Sequence, residues 1–164
     1  MIKNIRLKIC YDGTNFHGYQ SQNDLRNVED EVRKAIQKVT GENNRIIAAG
    51  RTDAGVHANA QYVNFLTATN INPNAFNFHL DPHLPDDILA LEAKEVSLDF
   101  HARFSALGKT YKYVIYTGKV MHPIYRNYME HITYPLDIEK MKEGLEILKG
   151  EHDFKAFMTV SYTH

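Results

Sequence analysis

The sequence contains a single cysteine, Cys10, and no tryptophan. One cysteine excludes a disulfide framework and a cysteine zinc cluster within the chain. Long apolar runs are also missing, because the longest stretches, such as residues 46–49 and 113–116, are far shorter than the roughly 20 residues of a membrane-spanning helix. The first residues alternate like a strand and lack the apolar core of a signal peptide. We therefore expect a cytoplasmic protein without a membrane span.

A large net charge is absent as well, but the total of -1 conceals an uneven distribution. Residues 67–100 carry an excess of acidic side chains, whereas residues 101–134 carry an excess of basic ones. The basic block also contains Phe104, Tyr111, Tyr113, Tyr116, Tyr125, Tyr128 and Tyr134. Cations interleaved with aromatic side chains are typical of surfaces that neutralise phosphates and stack bases. A tyrosine-rich sheet with a charged solvent face fits the same composition, so both interpretations stay open.

The apolar pattern of the first hundred residues predicts six elements in the order β-α-β-β-α-β. The predicted strands are residues 5–11, 45–49, 60–66 and 88–95, and the predicted helices are residues 28–39 and 73–80. Asn27 is a suitable N-cap for the first helix, Gly41 can end it, and Pro73 suits the first position of the second helix. This order indicates an α+β, ferredoxin-like unit with an antiparallel sheet and both helices on one face. Many RNA-binding modules use the open face of such a sheet.

After the first unit, the order of predicted strands and helices begins to repeat. Residues 109–116 are typical of a strand, and Ile138, Met141, Leu145 and Leu148 form a helical stripe between Asp137 and Gly150. The first unit takes about 90 residues, so a second one of equal size would extend to about residue 200. We therefore predict an N-terminal domain at residues 1–105 and an incomplete second domain, a strand plus a helix, at residues 106–164.

The strongest candidate for chemistry is the loop at residues 50–58, where two glycines flank an aspartate between two predicted strands. Glycines there allow a backbone to approach a ligand closely. The Asp53 carboxylate can act as a nucleophile, a base or a metal ligand, and Arg51 can hold a carboxylate or phosphate. An ordinary connection in which Asp53 caps a turn fits the same residues.

These residues read GRTDAGVHA, which resembles the signature of the TruA-type family of tRNA pseudouridine synthases. Other segments resemble that family in the same order. They are YDGTNFHGYQSQ at residues 11–22, FHARFSA at 100–106, KTYKY at 109–113 and HDFKAF at 152–157. Tyr19 stands where the family usually has tryptophan.

The resemblance implies the pseudouridine synthase fold and an isomerase that needs no metal or cofactor. Asp53 corresponds to the catalytic nucleophile, which attacks either C1′ of the ribose or C6 of the uracil. Tyr111 corresponds to the residue that packs on the target base. Arg51 is expected to hold the opened backbone or to fill the space of the flipped nucleotide, and His101 and Arg103 are expected to contact the RNA backbone.

The resemblance also implies partners, namely the anticodon stem-loop of tRNA and a second copy of the chain in a homodimer. Family members continue through further strands and a helix, which include a basic residue that pairs with the catalytic aspartate. The chain is therefore expected to be C-terminally truncated. A non-catalytic RNA-binding fragment and a chain without a stable dimer or a function are the alternatives. No metal is expected, because Pro82 separates His79 from His83 and disfavours a shared ligand face.

Overall fold

The computed structural model describes residues 1–157, and the chain forms two compact units, Met1–Thr110 and Tyr111–His164. Residues 158–164 of the predicted second domain lie outside the described residues. The predicted division into domains at residues 105 and 106 stays a prediction. Among residues 1–157, no helix combines the length and the apolar composition that crossing a membrane requires.

The first unit contains a four-stranded antiparallel sheet and two α-helices. The strands are β1 (Lys3–Tyr11), β2 (Ile47–Ala48), β3 (Ala58–Thr67) and β4 (Ile88–Val96), and the helices are α1 (Val28–Thr40) and α2 (Phe76–Leu80). The strand order in the sheet is β2-β3-β1-β4, with the first and third strands at the centre. The predicted α+β class and the β-α-β-β-α-β order are confirmed.

Alternation along β1 creates the core. Ile5, Leu7 and Ile9 are fully buried, whereas Arg6 and Lys8 between them remain partly exposed. The buried strand residues belong to the same apolar cluster as the buried residues of both helices. The helices therefore cover one face of the sheet, and the side chains that alternate with the core residues lie on the other face.

The predicted ends of α1 are confirmed by its caps. The side chain of Asn27 accepts a 2.8 Å hydrogen bond from the backbone nitrogen of Asp30. Gly41 ends the helix with a left-handed φ of +73°. Val32 and Ile36, four positions apart, are buried against the sheet. Local capping and helical periodicity thus agree with the tertiary packing.

The second helix of the unit begins as a tighter turn than predicted. Asn72 caps a 3-10 turn at Pro73–Ala75, and the α-helical hydrogen bonding of α2 follows directly. Phe76 is fully buried and contacts Phe65 of β3 edge to face, with 5.6 Å between the ring centroids. The helix is therefore fixed to the core by its first aromatic side chain.

The second unit has short strands. β5 (Ile115–Tyr116) pairs in parallel with β6 (Glu130–His131), and helix α3 covers Ile138–Ile147. The predicted strand at residues 109–116 is therefore wrong over all but its last two residues. A strand needs a neighbour to satisfy its backbone groups, and within residues 1–157 the only partner of β5 is the equally short β6.

Helix α3 forms where its apolar stripe predicts it. The Asp137 side chain caps it by accepting a 3.0 Å hydrogen bond from the backbone nitrogen of Lys140. Ile138, Met141 and Leu145 of the stripe are exposed. Periodicity thus predicted the helix correctly, although its apolar face is not buried among the described residues.

Candidate active site

The GRTDAGVHA segment forms the connection between β2 and β3. Its turn is closed by the main chain, because the backbone nitrogen of Val56 donates a 3.2 Å hydrogen bond to the carbonyl oxygen of Asp53. Gly55, the third residue of this turn, has a φ of +77°. A positive φ at this position is what a type II turn requires, and glycine adopts it without steric cost. The second glycine of the segment therefore shapes the turn.

The Asp53 side chain takes no part in closing this turn. It is exposed, and within residues 1–157 its carboxylate forms no hydrogen bond or ion pair. Main-chain groups close this turn, so the Asp53 carboxylate does not cap it. The carboxylate is left accessible to a ligand that approaches the loop.

The loop after β1 packs directly on this turn, and glycines make the approach possible. A Cβ atom on Gly13 would lie 2.1 Å from the carbonyl oxygen of Val56. A Cβ atom on Gly18, whose φ is +93°, would lie 2.7 Å from the carbonyl oxygen of Thr52. Neither distance is compatible with a side chain, so both positions need glycine. The YDGTNFHGYQSQ and GRTDAGVHA segments, which are separate in the sequence, therefore pack against each other.

Main-chain hydrogen bonds join the same two loops. Tyr19 donates to the carbonyl oxygen of Thr52 over 3.0 Å, and Gly55 donates to the carbonyl oxygen of Phe16 over 3.1 Å. Tyr19 and Phe16 are themselves buried in the core of the first unit. The loop that carries Asp53 is therefore attached to the core through the residues of the YDGTNFHGYQSQ segment.

Side chains strengthen this attachment. The hydroxyl groups of Tyr11 and Thr52 lie 2.8 Å apart and share a hydrogen bond. Burial raises the pKa of Tyr11, although its bond to Thr52 opposes this effect. The phenol therefore stays protonated at neutral pH and holds the threonine that precedes Asp53.

The His57 ring forms a further link. Its Nδ1 atom lies 3.0 Å from the backbone nitrogen of Gly13 and 3.0 Å from a carboxylate oxygen of Asp12. An unprotonated Nδ1 accepts from the glycine, whereas a protonated Nδ1 donates to the aspartate. The imidazole can therefore join the two loops in either protonation state.

Arg51 lies two residues before Asp53 on the same loop. Its side chain is exposed, and within the described part of the chain it forms no ion pair. The structure thus brings the predicted nucleophile and one predicted RNA contact together on a single short connection. Their guanidinium and carboxylate groups are both available to a ligand.

The FHARFSA segment carries the other two predicted RNA contacts. Ala102 is buried, and its backbone nitrogen donates a 2.8 Å hydrogen bond to the side-chain oxygen of Asn64 in β3. His101 stacks on Phe104 with 4.3 Å between ring centroids, and the Arg103 side chain is exposed. His101 and Arg103 thus flank the residue that anchors the segment to the sheet. Sequence reasoning missed the role of Asn64, because nothing local distinguishes it from any other strand asparagine.

Tyr111 is the first residue of the second unit, where its ring is 72% exposed. An exposed tyrosine presents a flat apolar surface with a polar end, which suits stacking on a base. Its assignment as the base-packing residue stays a prediction.

An open depression of about 540 Å³ lies beside the loop after β1. It is lined by Asp12, Asn15, Arg26, Pro85, Asp86 and Asp87. Arg26 donates two hydrogen bonds, of 2.7 and 2.8 Å, to the Asp87 carboxylate, and these raise the arginine pKa. Because its cation is paired and its other charges are acidic, this depression does not suit a phosphate.

Residues 1–157 contain no group of three or more His, Cys, Asp or Glu side chains that could hold a metal ion.

Comparison with known proteins adds independent information. The sequence model of a family described as tRNA pseudouridine synthase matches residues 9–105, which include Arg51, Asp53, His101 and Arg103. The chain is 48% identical over 156 residues to tRNA pseudouridine synthase A of Thermoanaerobacter sp. (strain X514), an alignment that covers 95% of this chain and 64% of the relative. It is 43% identical over 156 residues to tRNA pseudouridine synthase A of Acetivibrio thermocellus, with the same coverage. The chain thus spans 64% of the length of these relatives.

Proposed function

Because the chain belongs to the tRNA pseudouridine synthase family, we propose that its protein isomerises uridine to pseudouridine in the anticodon stem-loop of tRNA, with Asp53 as the nucleophile. The observation that carries this proposal is the exposed carboxylate of Asp53, which has no partner among residues 1–157. It sits on a loop whose shape is fixed by main-chain hydrogen bonds and close glycine contacts. The loop backbone at Asp53 is thus fixed, while the charge of its carboxylate is not neutralised within residues 1–157.

The reaction breaks the N1–C1′ bond of the uridine and forms a C5–C1′ bond to the same ribose. The hydrogen leaves C5 as a proton, and N1 gains a proton, so atoms and electrons balance without an oxidant or a reductant. The Asp53 carboxylate starts the reaction by attack on C1′ or on C6. Since these atoms are shielded in a stacked stem, the nucleotide must first be flipped out of the RNA.

The other site residues bind the flipped substrate in this proposal. Arg51 holds the opened backbone or fills the vacated space, and its exposure two residues from Asp53 supports that role. Tyr111 packs on the base. His101 and Arg103 contact backbone phosphates, which is supported by the anchoring of their segment through Ala102. A homodimer and a cytoplasmic location complete the proposal, and the homodimer rests on the family resemblance alone.

Replacement of the nucleophile tests the proposal. We expect Asp53→Asn to abolish tritium release from tRNA labelled at C5 of uridine, while its Kd for tRNA stays within about twofold. The control is Asp81→Asn, which removes an exposed carboxylate from a different part of the same unit and should leave release unchanged. Continued release by Asp53→Asn would contradict the assignment.

A non-catalytic RNA-binding role is the second candidate. It is favoured by the second unit, where the described strands are only two residues long. The same assay separates the two candidates. Binding of tRNA without any tritium release by the unmodified chain would support the second, whereas release would support the first.

A further inference from the structure

Lys109 lies directly on the first residue of the candidate catalytic loop. A Cβ atom on Gly50 would lie 2.4 Å from the Nζ atom of Lys109 and 2.9 Å from its Cε atom. The lysine ammonium therefore occupies the space that any side chain at position 50 would fill. Both residues belong to the first unit.

The backbone of Gly50 gives no other reason for glycine at this position. Its φ is not in the left-handed region, unlike that of Gly55 in the same loop. The three atoms nearest to a Cβ there, at 2.4, 2.9 and 3.8 Å, all belong to the Lys109 side chain. Glycine at position 50 thus provides room for the lysine rather than for a turn.

The charge of Lys109 is unpaired where it lies. The side chain is exposed, and within residues 1–157 it forms no ion pair. Arg51, the next residue of the loop, is likewise exposed and without an ion pair in the described chain. Among residues 1–157, no carboxylate therefore pairs with either of these two cations at the start of the loop. Adjacent unpaired cations are the arrangement that a polyanion backbone recognises.

We propose that Lys109 is a substrate-binding residue, held over Gly50 so that its ammonium contacts a backbone phosphate of the RNA next to the nucleotide presented to Asp53. This inference rests on the proposed function. A lysine suits the role because its flexible stem carries a compact charge that can follow a phosphate without a fixed hydrogen-bond geometry. Because Lys109 lies at the loop that carries Asp53, a phosphate that it binds is close to the reacting nucleotide.

The first test is the salt dependence of tRNA binding by the full chain. Loss of one phosphate contact lowers the slope of log K against log salt by about 0.7 to 0.9. We expect this decrease for Lys109→Gln, with a Kd that is about three- to tenfold weaker at low salt. Lys109→Arg should keep the slope. The control, Lys38→Gln, removes an exposed lysine from helix α1, and its slope should not change.

The second test is a double-mutant cycle with Gly50→Ala. The alanine keeps the charge of Lys109 but displaces its ammonium, so tRNA binding should weaken. The double variant Gly50→Ala/Lys109→Gln should bind no more weakly than Lys109→Gln alone, because the glycine acts only by making room. Additive losses would overturn the coupling. Thermal unfolding of each variant checks the fold, and the Lys109→Gln and Lys109→Arg pair decides the issue if Gly50→Ala does not fold.

The two proposals fail in different ways. Continued tritium release by Asp53→Asn would contradict the proposed function, whatever Lys109 does. Loss of release by Asp53→Asn together with an unchanged salt slope for Lys109→Gln would overturn only the assignment of Lys109. A lower tritium release by Lys109→Gln with unchanged binding and slope would also overturn it, since the lysine would then act on the reaction and not on a phosphate.

Discussion

The side-chain nitrogen of Asn64 donates a 2.9 Å hydrogen bond to the side-chain oxygen of Asn4 on the neighbouring strand. Both residues are buried, with 2% and 1% of their surface exposed. Asn4 also donates to the carbonyl oxygens of Ser97 and Phe100, over 2.9 and 3.0 Å, and Asn64 accepts from the backbone nitrogen of Ala102. The pair therefore anchors the segment with the predicted RNA contacts to the open face of the sheet.

Replacement of Asn64 by leucine should destabilise the first unit. Asn64→Leu leaves the Asn4 oxygen and the Ala102 backbone nitrogen buried without partners, which costs about 2 to 4 kcal/mol of unfolding free energy in total. Urea denaturation measures this change. The matched control is Asn59→Leu, an exposed asparagine in the same strand, where we expect a change within about 0.5 kcal/mol. Equal stability of the two variants would contradict the anchoring role.

Gly13→Ala should disrupt the packing of the two loops at the candidate active site. The new Cβ would lie 2.1 and 2.4 Å from the carbonyl oxygen and carbon of Val56, and backbone atoms cannot move away as a flexible side chain can. We expect a loss of about 1 to 3 kcal/mol in unfolding free energy and at least a roughly tenfold loss of tritium release. Gly108→Ala is the control, since a Cβ there meets nothing within 4 Å. Unchanged release by Gly13→Ala would contradict the proposed docking of the loops.

The elements of the first unit could be predicted because their signals are local. The alternation of β1, the Asn27 cap and Pro73 each depend on residues close together in the chain, and each agrees with the packing. The bond between Asn4 and Asn64 joins residues 60 positions apart. No local pattern distinguishes such a pair from exposed asparagines, so the anchor of the FHARFSA segment could not be read from the sequence.

The candidate site could likewise be predicted only in part from the sequence. The glycine-flanked aspartate was visible as a motif, whereas the contact of Gly13 with Val56 and that of Lys109 with Gly50 appear only when distant segments fold together. The predicted strand at residues 109–116 was wrong over most of its length for a related reason. β-propensity favours an extended chain, but the strand forms only where a neighbour pairs with it, here at Ile115–Tyr116.

Substitution of Gly55 tests the energetic cost of its left-handed backbone conformation, because no steric clash accompanies the change. Its φ is +77°, and a Cβ at this position would meet no atom within 4 Å. The cost of Gly55→Ala is therefore that of the left-handed backbone alone, about 1 to 2 kcal/mol. Gly55→Asn should cost less, because asparagine tolerates this region. Urea denaturation gives the order, and an alanine variant as stable as the unmodified chain would contradict the turn geometry.

Tyr19 should make the protein sensitive to alkaline pH. It is 2% exposed, and its hydroxyl has no hydrogen-bond partner within residues 1–157. Burial, with smaller effects of Glu29 and Tyr11, raises the Tyr19 pKa well above its usual value. The unfolded chain loses this proton near pH 10, while the folded chain keeps it. The unfolded state then binds fewer protons, so the unfolding free energy should fall as the pH rises above about 10.

Tyr19→Phe should remove this part of the alkaline dependence. At neutral pH the variant should be as stable as the unmodified chain or more stable by about 1 kcal/mol, because it no longer buries an unpaired hydroxyl. Between about pH 9 and 11 its unfolding free energy should fall less steeply. Tyr113→Phe, which alters an exposed ring, controls for the loss of a hydroxyl and should follow the unmodified chain. Urea denaturation at each pH tests the expectation, and parallel curves for Tyr19→Phe and the unmodified chain would show that Tyr19 is not the group responsible.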